Sequence, residues 1–245
     1  MTSIVAESLT RSFRDDLAVD HLDLEVSPGE IHAIVGLNGA GKTTLMRMLM
    51  GMIKPDSGRA LLDGTDVAAA SPATWAHVGH MIETPFGYPE LTVVENVRAA
   101  ARLRGVAAGD LPSSTTAVIE RFELGLWASR RARTLSMGNR QRLGLACSLV
   151  HRPRIVVLDE PSNSLDPLGV VLVRDLMRQE ADAGAAILVS SHHLDELARV
   201  AHRISVLHRG RIIGAMDPEG VDLERNFFEL VHGAEVELRE GGFDA

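Results

Sequence analysis

The sequence predicts an α/β fold: a mostly parallel sheet with flanking helices, an N-terminal antiparallel β subdomain and an inserted α-helical subdomain. Three observations carry this. Leu22, Leu24 and Val26 alternate with Asp23 and Glu25, the period-2 pattern of a half-buried strand. From about Glu90 the pattern turns helical, with Thr92-Val93-Val94-Glu95 as a capping box. Ile155-Val156-Val157-Leu158 is then a continuous apolar run, as expected of a parallel strand covered on both faces.

The elements follow in order. Pro28-Gly29 is a turn, and Ile31 to Val35 a short strand. Thr44 to Met50 is expected to be a helix; Met48 and Met52 share its spacing with Leu45 and Leu49, so both are expected in the core. Arg59 to Leu62, followed by Asp63-Gly64, is a further strand and turn. Asn96 to Gly105 continues the capped helix, 109–114 is expected as loop, and Thr115 to Phe122 and Arg140 to Val150 as helices. Cys147, on the last of these, is expected to be structural packing. After the strand at Ile155 come a helix over Leu168 to Ala183, a strand at Ala186 to Val189, and a hairpin of 204–207 with 211–214 joined near Arg209-Gly210. The expected organisation is one domain over 1–245. Its core spans 1–84 and 153–232, its helical subdomain 85–152, and 233–245 is a short C-terminal tail.

Composition narrows the class. A hydrophobic share of 45% supports an ordinary folded core. No stretch approaches the roughly 18–20 apolar residues of a membrane span, and the N-terminus lacks the basic head and apolar run of a signal peptide. A single cysteine excludes an intramolecular disulfide and a Cys-rich zinc site. The net charge of −8 argues against a nucleic-acid partner.

Gly36-Leu37-Asn38-Gly39-Ala40-Gly41-Lys42-Thr43 matches G-x-x-x-x-G-K-[ST], between an apolar strand and a helix. Gly36, Gly39 and Gly41 let the backbone N–H groups turn onto phosphate oxygens. Lys42 supplies a point charge for the terminal phosphates, and Thr43 a hydroxyl for Mg²⁺. The helix beginning at Thr44 aims its N-terminus at the anion. This predicts a P-loop NTPase core that binds ATP or GTP. Asp159-Glu160, ending the strand at 155–158, offers one carboxylate for Mg²⁺ and a second to orient or deprotonate water.

Leu135-Ser136-Met137-Gly138-Asn139-Arg140-Gln141-Arg142 precedes a helix, and Ser164-Leu165-Asp166 and Ser190-Ser191-His192 follow. With these motifs in order, nearly the whole chain resembles the nucleotide-binding subunit of ATP-binding cassette (ABC) transporters. The resemblance implies that ATP and Mg²⁺ are the cofactors. It places the adenine on Phe13 and the phosphates on 36–44, Asn38 included. It makes Asp159 the metal-side acid, Glu160 the catalytic base, and His192 the switch histidine near the γ-phosphate. Ser136 and Gly138 would contact the ATP held by an opposite subunit, and Asp166 would link the two sites. His193 is expected as a helix cap or surface residue.

Two departures stand out. The signature has Met137 and Asn139 where Gly and Gln are commoner, and Glu83 stands where most members carry a glutamine. Glu83 keeps a hard oxygen for Mg²⁺ and adds a charge. Ile82-Glu83-Thr84-Pro85-Phe86-Gly87-Tyr88-Pro89 resembles the bacitracin-resistance and lantibiotic-immunity branch of exporters, and the ending Asn226 to Val231 resembles small antibiotic and multidrug export subunits. The resemblance implies a separate transmembrane permease, a head-to-tail homodimer with two ATP at its interface, and a cytoplasmic location on the inner face of the membrane. The alternatives are a soluble ABC-type switch acting on ribosomes or nucleic acid, and a cassette that holds ATP without hydrolysing it.

Overall fold

The computed structural model describes residues 3–14, 16–85 and 87–240, with 238–240 as backbone only. The elements run β1 (Ile4–Phe13), β2 (Asp16–Val26), β3 (Ile31–Val35), α1 (Lys42–Leu49), β4 (Ser57–Leu62) and β5 (Thr65–Asp66). After these come α2 (Pro72–Trp75), β6 (Val78–Met81), α3 (Val93–Leu103), α4 (Leu111–Arg121) and α5 (Met137–Leu149). The chain closes with β7 (Ile155–Asp159), α6 (Pro167–Asp182), β8 (Ala186–Ser191), α7 (Leu194–Ala198), β9 (Arg203–His208), β10 (Arg211–Met216) and α8 (Leu223–Glu240).

Two sheets form. The first is antiparallel, in the order β2-β1-β4-β5. The second, β10-β9-β3-β8-β7-β6, is parallel except for β10. Its central strands are buried along their whole length, and alternate residues enter two different core layers. Val156, Leu158, Ile187 and Val189 pack with α3 to α6, while Ile155, Val157 and Leu188 pack with α1 and the first sheet. Both faces are covered, so these strands have no polar alternation. β3, β8 and β7 are neighbours, so their C-terminal ends come together, the usual place for a ligand in such a sheet.

Several sequence expectations are corrected. β1 and β6 are strands that the pattern did not reveal. β1 shifts register between Ala6, Leu9, Arg11 and Ser12, and Ser8 has φ 45°, so its alternation is broken. β6 contains Gly79, where a Cβ would lie 2.2 Å from the Ser148 carbonyl of α5. The expected loop at 109–114 is already helix from Leu111, because Pro112 suits a first turn while Asp110 gives no side-chain cap to signal it. α5 begins at Met137, three residues before the expected start, capped by Ser136. Met52 is 49% exposed, because α1 ends at Leu49 and Gly51 (φ 64°) turns the chain away; Met48 is buried. Residues 233–240, expected as a tail, continue α8.

Three histidines are buried or half-buried in the neutral form. His32 faces Glu25 O through Nδ1 at 3.1 Å and the Ser205 hydroxyl through Nε2 at 2.8 Å. Burial, helped by the Arg203 charge, pushes its pKa down to about 4. Burial and then Arg104 do the same for His80 and His151, each to about 4. Against an ordinary value of 6.5, the unfolded chain takes up these protons first as pH falls. Their stabilising effect is therefore complete above pH 6.5 and is lost as the pH falls from 6.5 towards 4. Thermal melting at pH 7.5 and pH 5 is expected to give a lower Tm at pH 5, with a smaller drop in His32→Gln. An unchanged drop in that variant would remove His32 from the account.

Candidate active site

A cavity of about 1180 Å³ opens at the C-terminal ends of β3 and β7. Phe13, Asn38, Gly39, Gly41, Lys42, Thr43, Thr44, Asp159 and Glu160 all line it. The loop after β3 is shaped by steric need. A Cβ at Gly36 would lie 2.3 Å from Leu207 O, and Gly41 has φ 107° with Ala18 O 2.3 Å from its Cβ position. The side wall at Gly39 (φ 81°) has nothing within 4 Å, which leaves room beside its backbone for an anion.

Lys42 opens α1 and folds back over its own loop. Its ammonium donates to Gly36 O at 2.6 Å and Leu37 O at 3.3 Å. Burial pushes its pKa below the ordinary lysine value, while Glu160 and Asp159 pull it back up. Thr43 Oγ1 donates to Asp159 Oδ2 at 2.7 Å, and Ser190 Oγ donates to Asp159 Oδ1 at 2.5 Å. A hydroxyl and a buried carboxylate thus meet under the loop, two hard oxygens of the kind that Mg²⁺ takes. The loop N–H groups and Lys42 beside them suit a polyphosphate, so the residues present fit Mg²⁺ and a nucleoside triphosphate together.

Glu160 is held in a strained backbone, with φ 50° for a non-glycine residue. Its N–H donates to Ser190 Oγ at 3.0 Å and Ser190 O at 3.2 Å, and Gln141 Nε2 donates to the Glu160 and Pro161 carbonyls. Its carboxylate meets His192 twice, accepting from the backbone N–H at 3.3 Å and lying 2.9 Å from Nδ1. The switch position and the candidate base are therefore in direct contact.

Other predicted residues lie elsewhere. Gly36 and His192 line a smaller adjoining cavity of about 260 Å³ beside Phe227 and Phe228 of α8. Ser136 and Gly138 stand at the start of α5, away from the main cavity, with Met137 65% exposed. A Cβ at Gly138 would lie 3.0 Å from Ser164 O, so the signature packs on the Ser164–Asp166 loop of its own chain. Asp166 caps α6 through Gly169 N at 2.8 Å and also takes Arg142 at 3.4 Å. Glu83, at φ 62°, is ion-paired with Arg47 of α1 and does not line the cavity. Phe86 lies outside the described residues. His193 precedes α7 with no side-chain cap bond, and Cys147 is buried, its thiol pushed up to about 12 by burial.

Sequence reasoning assigned no role to Ser190, Gln141 or Arg142, which hold the acidic turn and the Asp166 loop. It also missed Arg209, Arg211 and Glu237 on the cavity wall. Ser190 and Gln141 lie inside the quoted motifs, which was the available signal. The wall residues come from the β9–β10 turn, β10 and α8 and carry no motif.

A family model described as ABC transporter matches residues 19–163. The chain is 36% identical over 213 residues to the bacitracin transport ATP-binding protein BcrA of Enterococcus faecalis, covering 86% of this chain and 68% of that one. It is 34% identical over 243 residues to the probable multidrug ABC transporter ATP-binding protein YbhF of Escherichia coli (strain K12). That match covers 94% of this chain and spans 42% of YbhF. Among solved structures, an ATP-binding subunit of an ABC transporter superposes with a TM-score of 0.87 at 26% identity, covering 94% of this chain and 99% of that one. The dimeric bacterial ABC transporter cassette MJ0796 shares the fold with a TM-score of 0.81 at 22% identity, covering 89% and 100%.

Proposed function

Because this chain belongs to the ABC transporter family and has its ATPase fold, we propose that it is the ATP-hydrolysing subunit of a membrane exporter. The cargo class is an antibiotic peptide, drug or similar compound, after the relatives BcrA and YbhF. A separate transmembrane permease carries the cargo, and this subunit sits on the cytoplasmic face of the membrane. Among the described residues no helix is long and apolar enough to cross a membrane. The net charge of −8 weighs against the ribosome or nucleic-acid switch.

One observation supports the catalytic reading above all: Thr43, Asp159, Ser190, Glu160 and His192 form one continuous hydrogen-bonded chain below the phosphate loop. Thr43 and Asp159 would hold Mg²⁺, which when bound neutralises charge on the phosphates. The loop N–H groups and Lys42 bind and orient the β- and γ-phosphates, Lys42 exchanging its contacts to Gly36 O and Leu37 O for theirs. Glu160 takes the proton of the attacking water. His192 fixes the Glu160 rotamer before the substrate arrives and faces the γ-phosphate afterwards. Asp159 has both carboxylate oxygens taken by hydroxyl donors, Thr43 and Ser190, which leaves Glu160 to receive the water proton.

Ser136 and Gly138 complete the site of a second copy in a head-to-tail dimer, with Asp166 between the two sites. Glu83 serves as the relay to the permease. It reaches the metal only when Arg47 releases it, since a paired carboxylate has one strong partner already.

A single experiment tests the whole reading: purification from membranes with the co-purifying permease, then nucleotide titration and ATPase assay of three forms. Lys42→Ala is expected to bind ATP far more weakly, because a cation is lost from a site built for phosphate. Glu83→Ala is expected to keep ATP affinity and lose most of the stimulation by the reconstituted permease. Wild-type affinity in Lys42→Ala would rule out the nucleotide site, and equal stimulation of Glu83→Ala would rule out the relay.

A further inference from the structure

Phe13 stands at the cavity rim with 42% of its surface exposed, yet one face of its ring is already covered. The guanidinium carbon of Arg11 lies 4.9 Å from the ring centroid. Arg11 is itself fixed: Nη1 donates to Asp56 Oδ1 at 2.7 Å and to Lys54 O at 3.2 Å. Asp56 also ties down the strand, since its Oδ2 accepts from Ser12 N at 2.8 Å and its own N–H donates to Thr10 O at 2.8 Å. Arg11 Nε is buried without a hydrogen-bond partner, so the electron-rich ring face is what this side chain gains in place of an acceptor.

We infer that Arg11 is a positioning residue for the base: it braces the Phe13 ring from behind, so that a nucleobase stacks on the opposite face. The inference rests on the nucleotide reading above and deepens it. An exposed phenylalanine on an irregular strand end would otherwise sample several rotamers and lose that freedom on binding. A cation over one face holds the ring in a single orientation. Asp56 holds the cation, and the same carboxylate holds the backbone of Ser12, next to Phe13. The result is a three-layer stack of guanidinium, ring and base, anchored by the segment before β4.

Such a role acts only through the base, which separates it from a general attraction of Arg11 for phosphate. The experiment compares wild type, Arg11→Ala and Arg11→Lys, each checked for folding by circular dichroism. ATP hydrolysis gives KM and kcat, and inorganic tripolyphosphate, which has no base, is used as a competitor. Arg11→Ala is expected to raise KM for ATP about three- to tenfold, the worth of one frozen side chain and one cation–ring contact, with kcat changed by less than about twofold. Inhibition by tripolyphosphate is expected to be unchanged. Arg11→Lys keeps a cation without the plane and is expected to fall between the two. If Arg11→Ala does not fold, the Arg11→Lys comparison carries the test in the same direction. An unchanged KM, or an equal loss for ATP and tripolyphosphate, overturns the role of Arg11. A wild type that binds tripolyphosphate but shows no preference for ATP overturns the nucleobase site. A wild type that binds neither overturns the underlying nucleotide reading.

Discussion

Turnover of Glu160→Gln is expected to fall about 10²- to 10⁴-fold, the usual worth of a positioned acid–base group, while ATP binding persists. The substitution is almost isosteric. The bonds that hold residue 160 at φ 50°, from its N–H to Ser190 Oγ and Ser190 O, survive. The amide oxygen can still accept from His192, so the geometry at Oε2 is kept. What disappears is the basic lone pair that takes the water proton. Glu160 suits this role better than Asp159, which is committed to Thr43 and Ser190 on both oxygens and sits in the core. Single-turnover hydrolysis and nucleotide titration measure the two halves of the prediction. A variant that retains most of its kcat would move the base elsewhere, His192 being the next group in reach.

The second large effect concerns assembly. Ser136→Arg is expected to lose about 10³- to 10⁵-fold in rate, the worth of a residue supplied by a partner protein, and Lys42→Ala to lose its activity with its hold on ATP. Mixing the two restores activity. In a head-to-tail dimer of one chain of each kind, one composite site carries both lesions and the other carries neither. With random pairing half the dimers are mixed, so the mixture is expected to approach about a quarter of the wild-type rate. The motivation is geometric: Ser136 and Gly138 do not line the cavity of their own chain, and they flank an exposed Met137. ATPase activity per chain independent of protein concentration, from a strictly monomeric species, would sink the proposal. So would a Ser136→Arg chain that stays active alone.

Some of this molecule was legible because its causes are local. In the loop at 36–43, Gly36 and Gly41 stand where neighbouring backbone leaves no room for a Cβ, and that need is written into the residue types themselves. β3, β7 and β8 read as apolar runs because each is covered on both faces. The capping box at Thr92 and Glu95 forms through contacts three residues apart. β1 was not legible, because its bulges break the alternation that marks a strand. α4 hid its start, because Asp110 supplies no cap.

Glu83 makes the limit plain. Its residue type offers a metal ligand, but whether the carboxylate is available depends on Arg47, which lies thirty-six residues earlier in the chain on α1. Arg11 is the converse: nothing in its immediate sequence distinguishes it, and its place against Phe13 is set by Asp56 from the segment before β4.

By itself, then, the sequence determined the chemistry available: a glycine-rich loop suited to phosphate, a hydroxyl and two acids suited to metal and water, and a net charge of −8 with no apolar stretch long enough to span a membrane. Those properties follow from residue type and short spacing. Tertiary structure alone decided which groups meet. The neighbouring order of β3, β8 and β7 puts Ser190 between Asp159 and Glu160 and places His192 against the latter. The same packing ties Glu83 to Arg47 and turns Ser136 and Gly138 away from their own cavity. Hydrogen bonds and ion pairs act over about 3 Å, and only the folded chain brings residues so far apart in sequence to that range.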